Sequence, residues 1–314
     1  GPAGPGRGAA SPHADHAQDA ARGGPPEHAD HDAQPRWRAD RQRAAGGGRG
    51  VVVPNGGRVQ RGVGVWRDPP PHIERDDWPC SCAPKIEEGE ELVQLARQEG
   101  KVLFVGHILH YHTAIQTIKN MIQKGELGKL QYIYSNRLNL GKIRREENIL
   151  WSFAPHDISV ILSIVGEEPV EVTASGSNIL HPEIADTTVT NLKFPSGVKA
   201  HIFVSWLHPF KEQKLVIIGE NGMVVFDDTA PVDQKLVLYP HQISWKGGVP
   251  LPERKEGSPI DLTEQWKEPL KEEGRAFIDS IHGKPALTDG EEGLRVLKVL
   301  QRAQTSMDTT NPIL

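Results

Sequence analysis

Ser135 to Ile158 reads SNRLNLGKIRREENILWSFAPHDI, and the two flanks of this stretch decide the fold. Upstream, Leu130 to Leu140 alternates apolar and polar residues, the period-two pattern of a strand with one buried face. Downstream, Phe153 to Val165 is almost continuously apolar and stops at Gly166, the pattern of a buried helix. Between them lie Arg137, Lys142, Arg144 and Arg145, then Trp151, then His156-Asp157. A His entering an apolar helix beside an Asp suits a general base near neutral pH, cations suit phosphate oxygens, and an indole suits stacking on a ring. Pro155-His156-Asp157 reads equally as a helix start capped by the Asp.

Working outward, Ile86 to Gln98 carries helical apolar spacing ended by Gly100, Lys101 to Gly106 is a short apolar strand, and Thr113 to Lys124 is again helical. That run resembles the last units of a doubly wound sheet. Beyond Gly166 the texture changes to strands over Val170 to Ser175, Thr187 to Phe194, Val198 to Trp206, Lys214 to Ile218, Met223 to Phe226 and Leu236 to Tyr239. Pro195-Ser-Gly197 and Glu220-Asn-Gly222 fall where hairpin turns belong. Leu270 to His282 and Glu291 to Met307 close the chain as amphipathic helices. The fold class expected is α/β: a remnant of a doubly wound domain over residues 85–128, then an α+β domain over 129–314 with a large, mostly antiparallel open sheet.

Residues 1–84 read differently. They contain no Leu, Lys, Met, Phe or Tyr, and Gly and Pro fill 26 of the 84 positions. Six valines, one isoleucine and three tryptophans are too few to offset an ordering cost of roughly 1–2 kcal/mol per residue. The expectation is a largely irregular, low-complexity segment; a GC-rich coding region translated out of frame has this composition. His13-Ala-Asp-His16 and His28-Ala-Asp-His31 have no periodic element to preorganise them as metal ligands. Eleven Arg against ten Asp plus Glu leave no basic footprint for nucleic acid.

A net charge of -5 gives no general affinity for nucleic acid or anionic membrane, and no run of about 18 apolar residues could span a bilayer. Cys80 and Cys82, one residue apart, suit neither a four-ligand zinc site nor an ordinary disulfide, so the chain reads as cytoplasmic. His107, His110 and His112 imitate a metal cluster but read better as loop and helix-entry residues; no metal is expected.

EEGEELVQLARQEG, VGHILHYHTA, SNRLNLGKIR, LWSFAPHDIS and HIFVSWLHPFKEQK, in this order, resemble the Gfo/Idh/MocA oxidoreductases. The likeness is greatest to the branch that oxidises the C3 hydroxyl of UDP-N-acetylated amino sugars or their uronates with NAD, and it covers about three quarters of the chain. It implies His156 as the catalytic base with Asp157 orienting it or the substrate. It also implies Gly106, His107 and Trp151 near the cofactor, and homo-oligomerisation through the C-terminal sheet. Arg137, Asn139, Lys142 and Arg144 become candidates for sugar or diphosphate, with Trp206 and His208 lining the same pocket or, for Trp206, packing in the core. The chain departs from the family where Ala83-Pro84-Lys85 replaces a Glu-Lys-Pro motif and where the glycine fingerprint is absent in context. That departure favours a second reading beside the enzyme: a non-catalytic sugar-binding or oligomerisation module.

Overall fold

The computed structural model describes residues 50–53 and 85–310. The His-x-x-His pairs, the Arg-rich stretch and both cysteines lie outside the described residues. Within the stretch read as largely irregular, Gly50–Val53 forms a strand, β1. The GVVV run carries three consecutive β-branched residues, whose local preference survives a composition that otherwise reads as coil.

Helix α1 (Ile86–Gln98) precedes β2 (Val102–Val105), which pairs in parallel with β1. A 3-10 turn over Ile108–Tyr111 leads into α2 (Thr113–Gln123), where His112 caps the first turn by accepting a hydrogen bond from the Ala114 N–H. Next come β3 (Leu130–Leu138) and α3 (Ile149–Val165). The helix begins one turn before the sequence pattern suggests: Asn148 accepts from the Trp151 N–H as its cap, and Pro155 lies inside it. Pro155-His156-Asp157 is therefore not a helix start, and Asp157 is not a cap. Gly166, at φ 74°, closes the helix in the left-handed conformation that a side chain would strain.

The strands β4 (Glu171–Ser177), β5 (Thr187–Lys193), β6 (Lys199–Ser205), β7 (Glu212–Gly219), β8 (Met223–Asp227) and β9 (Leu236–Tyr239) follow. With β3 and the two-residue β12 (Ser258–Pro259) they form one eight-stranded sheet in the order β12-β9-β8-β7-β3-β6-β5-β4. Every pair is antiparallel except β3 with β6. A separate hairpin, β10 (Gln242–Lys246) and β11 (Val249–Glu253), is absent from the sequence reading because Pro250 and Pro252 argue against a strand. Its signal was Gly247-Gly248, both at positive φ, which supply the two-residue turn.

Helix α4 (Pro269–Ile281) and α5 (Gly290–Thr310) end the chain. One face of the large sheet packs against α3 and α5, with Ile158, Ile161, Ile202, Val204 and Ala303 all at 0% exposure. Each such aliphatic side chain larger than Ala contributes roughly 1.5–3 kcal/mol by leaving water, enough together to hold α3 rigidly over the sheet. Helix α3 runs antiparallel to α5, since Trp151 meets Gln304 while Ser159 meets Glu292. No described helix is long and apolar enough to cross a membrane.

Candidate active site

The C-terminal end of β3 presents Arg137 to α3. Its Nε donates to Asp157 Oδ2 at 2.6 Å and its Nη2 to Oδ1 at 3.3 Å, while the Ser135 hydroxyl also donates to Oδ1. Both partners are nearly buried, so the pair is desolvated and costly to break from one side. Gln213 on β7, with its amide oxygen toward Arg137 Nη1 at 3.0 Å, completes the clamp. Arg137, Asp157, Gln213 and Asp228 line a small cavity with Leu109 and Phe226, about 10 Å³ in volume, which holds about one water. At its floor burial would raise the Asp228 pKa, but hydrogen bonds from His112 and Lys235 outweigh it and bring it down to about 2.

His156 precedes Asp157 on α3 and points toward a different neighbour. Its ring lies 6.5 Å from the His107 ring, edge to face, and its Nδ1 is sealed from solvent without a hydrogen-bond partner. The residue as a whole is only partly buried. Burial first, then the charges of Arg137 and His107, push its pKa down to about 3. At neutral pH the imidazole is therefore uncharged, and burial makes it a weaker base than a free imidazole.

A second network lies behind His107. Its Nδ1 meets Glu292 Oε2 at 2.5 Å; the Ser159 hydroxyl donates to Glu292 Oε1 at 2.5 Å and meets His110 Nε2 at 2.7 Å. Burial opposes ionisation of Glu292, but hydrogen bonds from His107 and His110 hold its carboxyl well below the usual range. On α4, Glu273 has one buried oxygen without a partner, and burial raises its pKa to about 7 against the opposing pull of His107. Sequence reasoning missed Glu292, Ser159 and Gln213. An acid in a helix's first turn looks like dipole chemistry, and only contacts across 185 positions reveal more.

The structure thus brings His156, Asp157, Arg137 and His107 together. Asn139, Lys142 and Arg144 sit on the loop between β3 and α3, where Arg144 pairs with Glu147 at 2.6 Å and Lys142 is exposed. His208 follows β6 at the same sheet end, its Nδ1 2.8 Å from the Phe210 carbonyl oxygen. Of the two roles open to Trp206 the structure favours the core, and it gives Trp151 a partner on α5. Trp206 is fully buried and donates its indole N–H to Asp186 at 2.5 Å, so it is a core residue that no substrate reaches. Trp151 donates its indole N–H to Gln304 at 3.0 Å, roughly 18 Å along α5 from Glu292 at 1.5 Å per residue, and packs between helices away from His156. Among the described residues no group of three or more His, Cys, Asp or Glu is placed to hold a metal.

An NAD site fits the described residues poorly. His107 is 2% exposed with its ring nitrogen committed to Glu292, Trp151 faces α5, and among the described residues β1 pairs only with β2. A dinucleotide needs the crevice of a doubly wound sheet and a glycine-rich first turn. Lys85, the nearest lysine to the missing motif, is the exposed N-cap of α1.

Comparison with known proteins agrees with this geometry. Residues 115–225 match the family model of the GFO/IDH/MocA C-terminal domain. The chain is 25% identical to UDP-N-acetylglucosamine 3-dehydrogenase of Acidithiobacillus ferrooxidans over 71% of its own length and 67% of the relative's. It is 23% identical to myo-inositol 2-dehydrogenase of Thermotoga maritima over 70% and 66%. These matches span about two thirds of the relatives' length. Among solved structures, the Bordetella pertussis WlbA dehydrogenase in complex with NADH and UDP-GlcNAcA superposes with a TM-score of 0.57 at 21% identity, covering 73% of this chain and 68% of that one. The strand order and the buried helix accord with the match of residues 115–225 to the C-terminal domain of the GFO/IDH/MocA family.

Proposed function

We propose that this chain handles the substrate of an oxidoreductase reaction at the C3 hydroxyl of a UDP-N-acetylated amino sugar or its uronate. The observation that carries the reading is His156: an uncharged imidazole on a partly buried residue, next to the Arg137–Asp157 pair. In this reading His156 accepts the hydroxyl proton, and Asp157 holds Arg137 so that the cation faces the site without swinging into solvent. Asn139, Lys142, Arg144 and His208 form the polar rim expected to meet sugar and diphosphate oxygens. Oxidation of an alcohol also requires a hydride acceptor, for which NAD is the family's expectation. Because the described residues do not fit it, the chemistry assigned to this chain is limited to substrate binding and proton acceptance.

A second reading is a non-catalytic sugar-binding or oligomerisation module. The open face of the large sheet supports it. There Tyr134 stacks on His201 at 5.3 Å, Tyr132 meets His201 Nδ1 at 2.8 Å, and Phe203 lies alongside, an aromatic surface suited to a second copy. One experiment separates the readings. The full chain is mixed with NAD and a UDP-N-acetylated sugar, and sugar binding is followed by calorimetry and turnover by absorbance of reduced cofactor. Turnover that His156→Asn abolishes supports the enzyme; binding without turnover supports the module; neither binding nor turnover sinks both sugar readings.

A further inference from the structure

We propose that Glu292 is a positioning residue for His156, acting through the ring of His107 and through Ser159. This rests on the reading of His156 as the proton acceptor. Three elements converge on one carboxylate: the segment after β2 supplies His107 and His110, α3 supplies Ser159, and α5 supplies Glu292. All four side chains are buried or nearly so. A carboxylate with each oxygen committed in a site from which water is excluded has little freedom to move, and what it holds shares that rigidity.

The consequence for His107 is specific. Its Nδ1 faces a carboxylate that can only accept, so a proton sits on Nδ1 and the ring cannot flip. The ring's orientation then fixes the edge-to-face approach to His156 and keeps water from Nδ1 of the latter. Ser159 lies one turn beyond His156 on α3, so its bond to Glu292 pins the same stretch of helix from the other side. The charged groups around His156 are Arg137 from β3, His107 from the segment after β2 and Asp157 from its own helix, with Glu292 of α5 and Glu273 of α4 behind His107. Of these, Glu292 is the one that grips two of the surrounding elements at once. Its loss would let the His107 ring turn and water reach His156, relieving the burial that chiefly depresses the His156 pKa.

The test is nuclear magnetic resonance on the full chain with isotope-labelled histidine rings, His107→Asn and His156→Asn spectra assigning the two signals. The wild-type His107 ring is expected to carry a proton on Nδ1. Glu292→Ala should release that proton preference and move the His156 titration midpoint upward by about 1 pH unit or more. Glu292→Gln keeps the volume and should shift both rings in the same sense but less; it decides the matter if the alanine variant does not fold. Val299→Ala, a truncation elsewhere on α5, should lower the melting temperature while leaving both rings unchanged. A His156 midpoint that stays at its wild-type value in the folded Glu292 variants, or a wild-type His107 with Nδ1 bare, overturns the inference. Because no turnover is measured, absence of sugar oxidation counts only against the dehydrogenase reading.

Discussion

The eight-stranded sheet closes its core with side chains from several strands and both α3 and α5 at 0% exposure, whereas β2 of the two-stranded sheet buries one side chain fully, Phe104. The groups proposed to handle protons and those expected beside a dinucleotide therefore rest on very different foundations. His156, Asp157 and Ser159 stand on α3, which the large sheet holds in place. Gly106 and His107 stand at the end of the small sheet, and His107 is anchored mainly by reaching across to Glu292 on α5. The proposed substrate side is preorganised by the packing of α3 on the large sheet.

Three substitutions would break or sharpen this contrast. Ile161→Ala, in the core of the large sheet, should cost about 4 kcal/mol in chemical denaturation. The matching truncation Leu103→Ala, on a partly exposed strand of the small sheet, should cost about 1–2 kcal/mol; equal losses would erase the contrast. Asp157→Asn should cost about 3 kcal/mol by leaving Arg137 buried beside a neutral partner, and a variant as stable as wild type would show that pair to be dispensable.

Acid sensitivity addresses the site itself. The folded pKa of His156 lies below its unfolded value of 6.5, so its stability contribution is present above pH 6.5 and is lost as pH falls from 6.5 toward 3. His156→Asn should flatten that part of the stability profile; an unchanged slope would mean that the ring is not held neutral. Glu273 has the opposite sign. Its folded pKa of about 7 lies above the ordinary 4.5, so its contribution is full below pH 4.5 and lost as pH rises through 7. Glu273→Gln should therefore raise the melting temperature by a few degrees at pH 8 and change it little at pH 4.

Much of the large domain was legible before any coordinates. Strand β9 and helix α1 fall on the residues that periodicity assigned, and the turns at Gly197 and Gly222 lie between the strands expected. His156 and Asp157 were legible as a pair because few polar residues interrupt so apolar a run. The start of α3 was misread because Pro155 looked like a boundary, although a cap at Asn148 accommodates it inside the helix. Trp206 was open between two roles because an indole's apolar bulk and single N–H serve a core and a binding pocket equally well, and its bond to Asp186 decides for the core.

What the sequence by itself determined is local: element type, the order of strands and helices, the apolar face of each, and the contrast between residues 1–84 and the rest. These follow from periodicity and composition over ten or twenty residues, a range within which backbone geometry dictates which side chains share a face. What only the tertiary structure decided is which polar groups meet. Glu292 lies 185 positions from His107 and 133 from Ser159, and Gln213 comes from a strand far beyond Arg137 in the chain. Such contacts depend on how a sheet and two helices pack, and no short-range pattern encodes them.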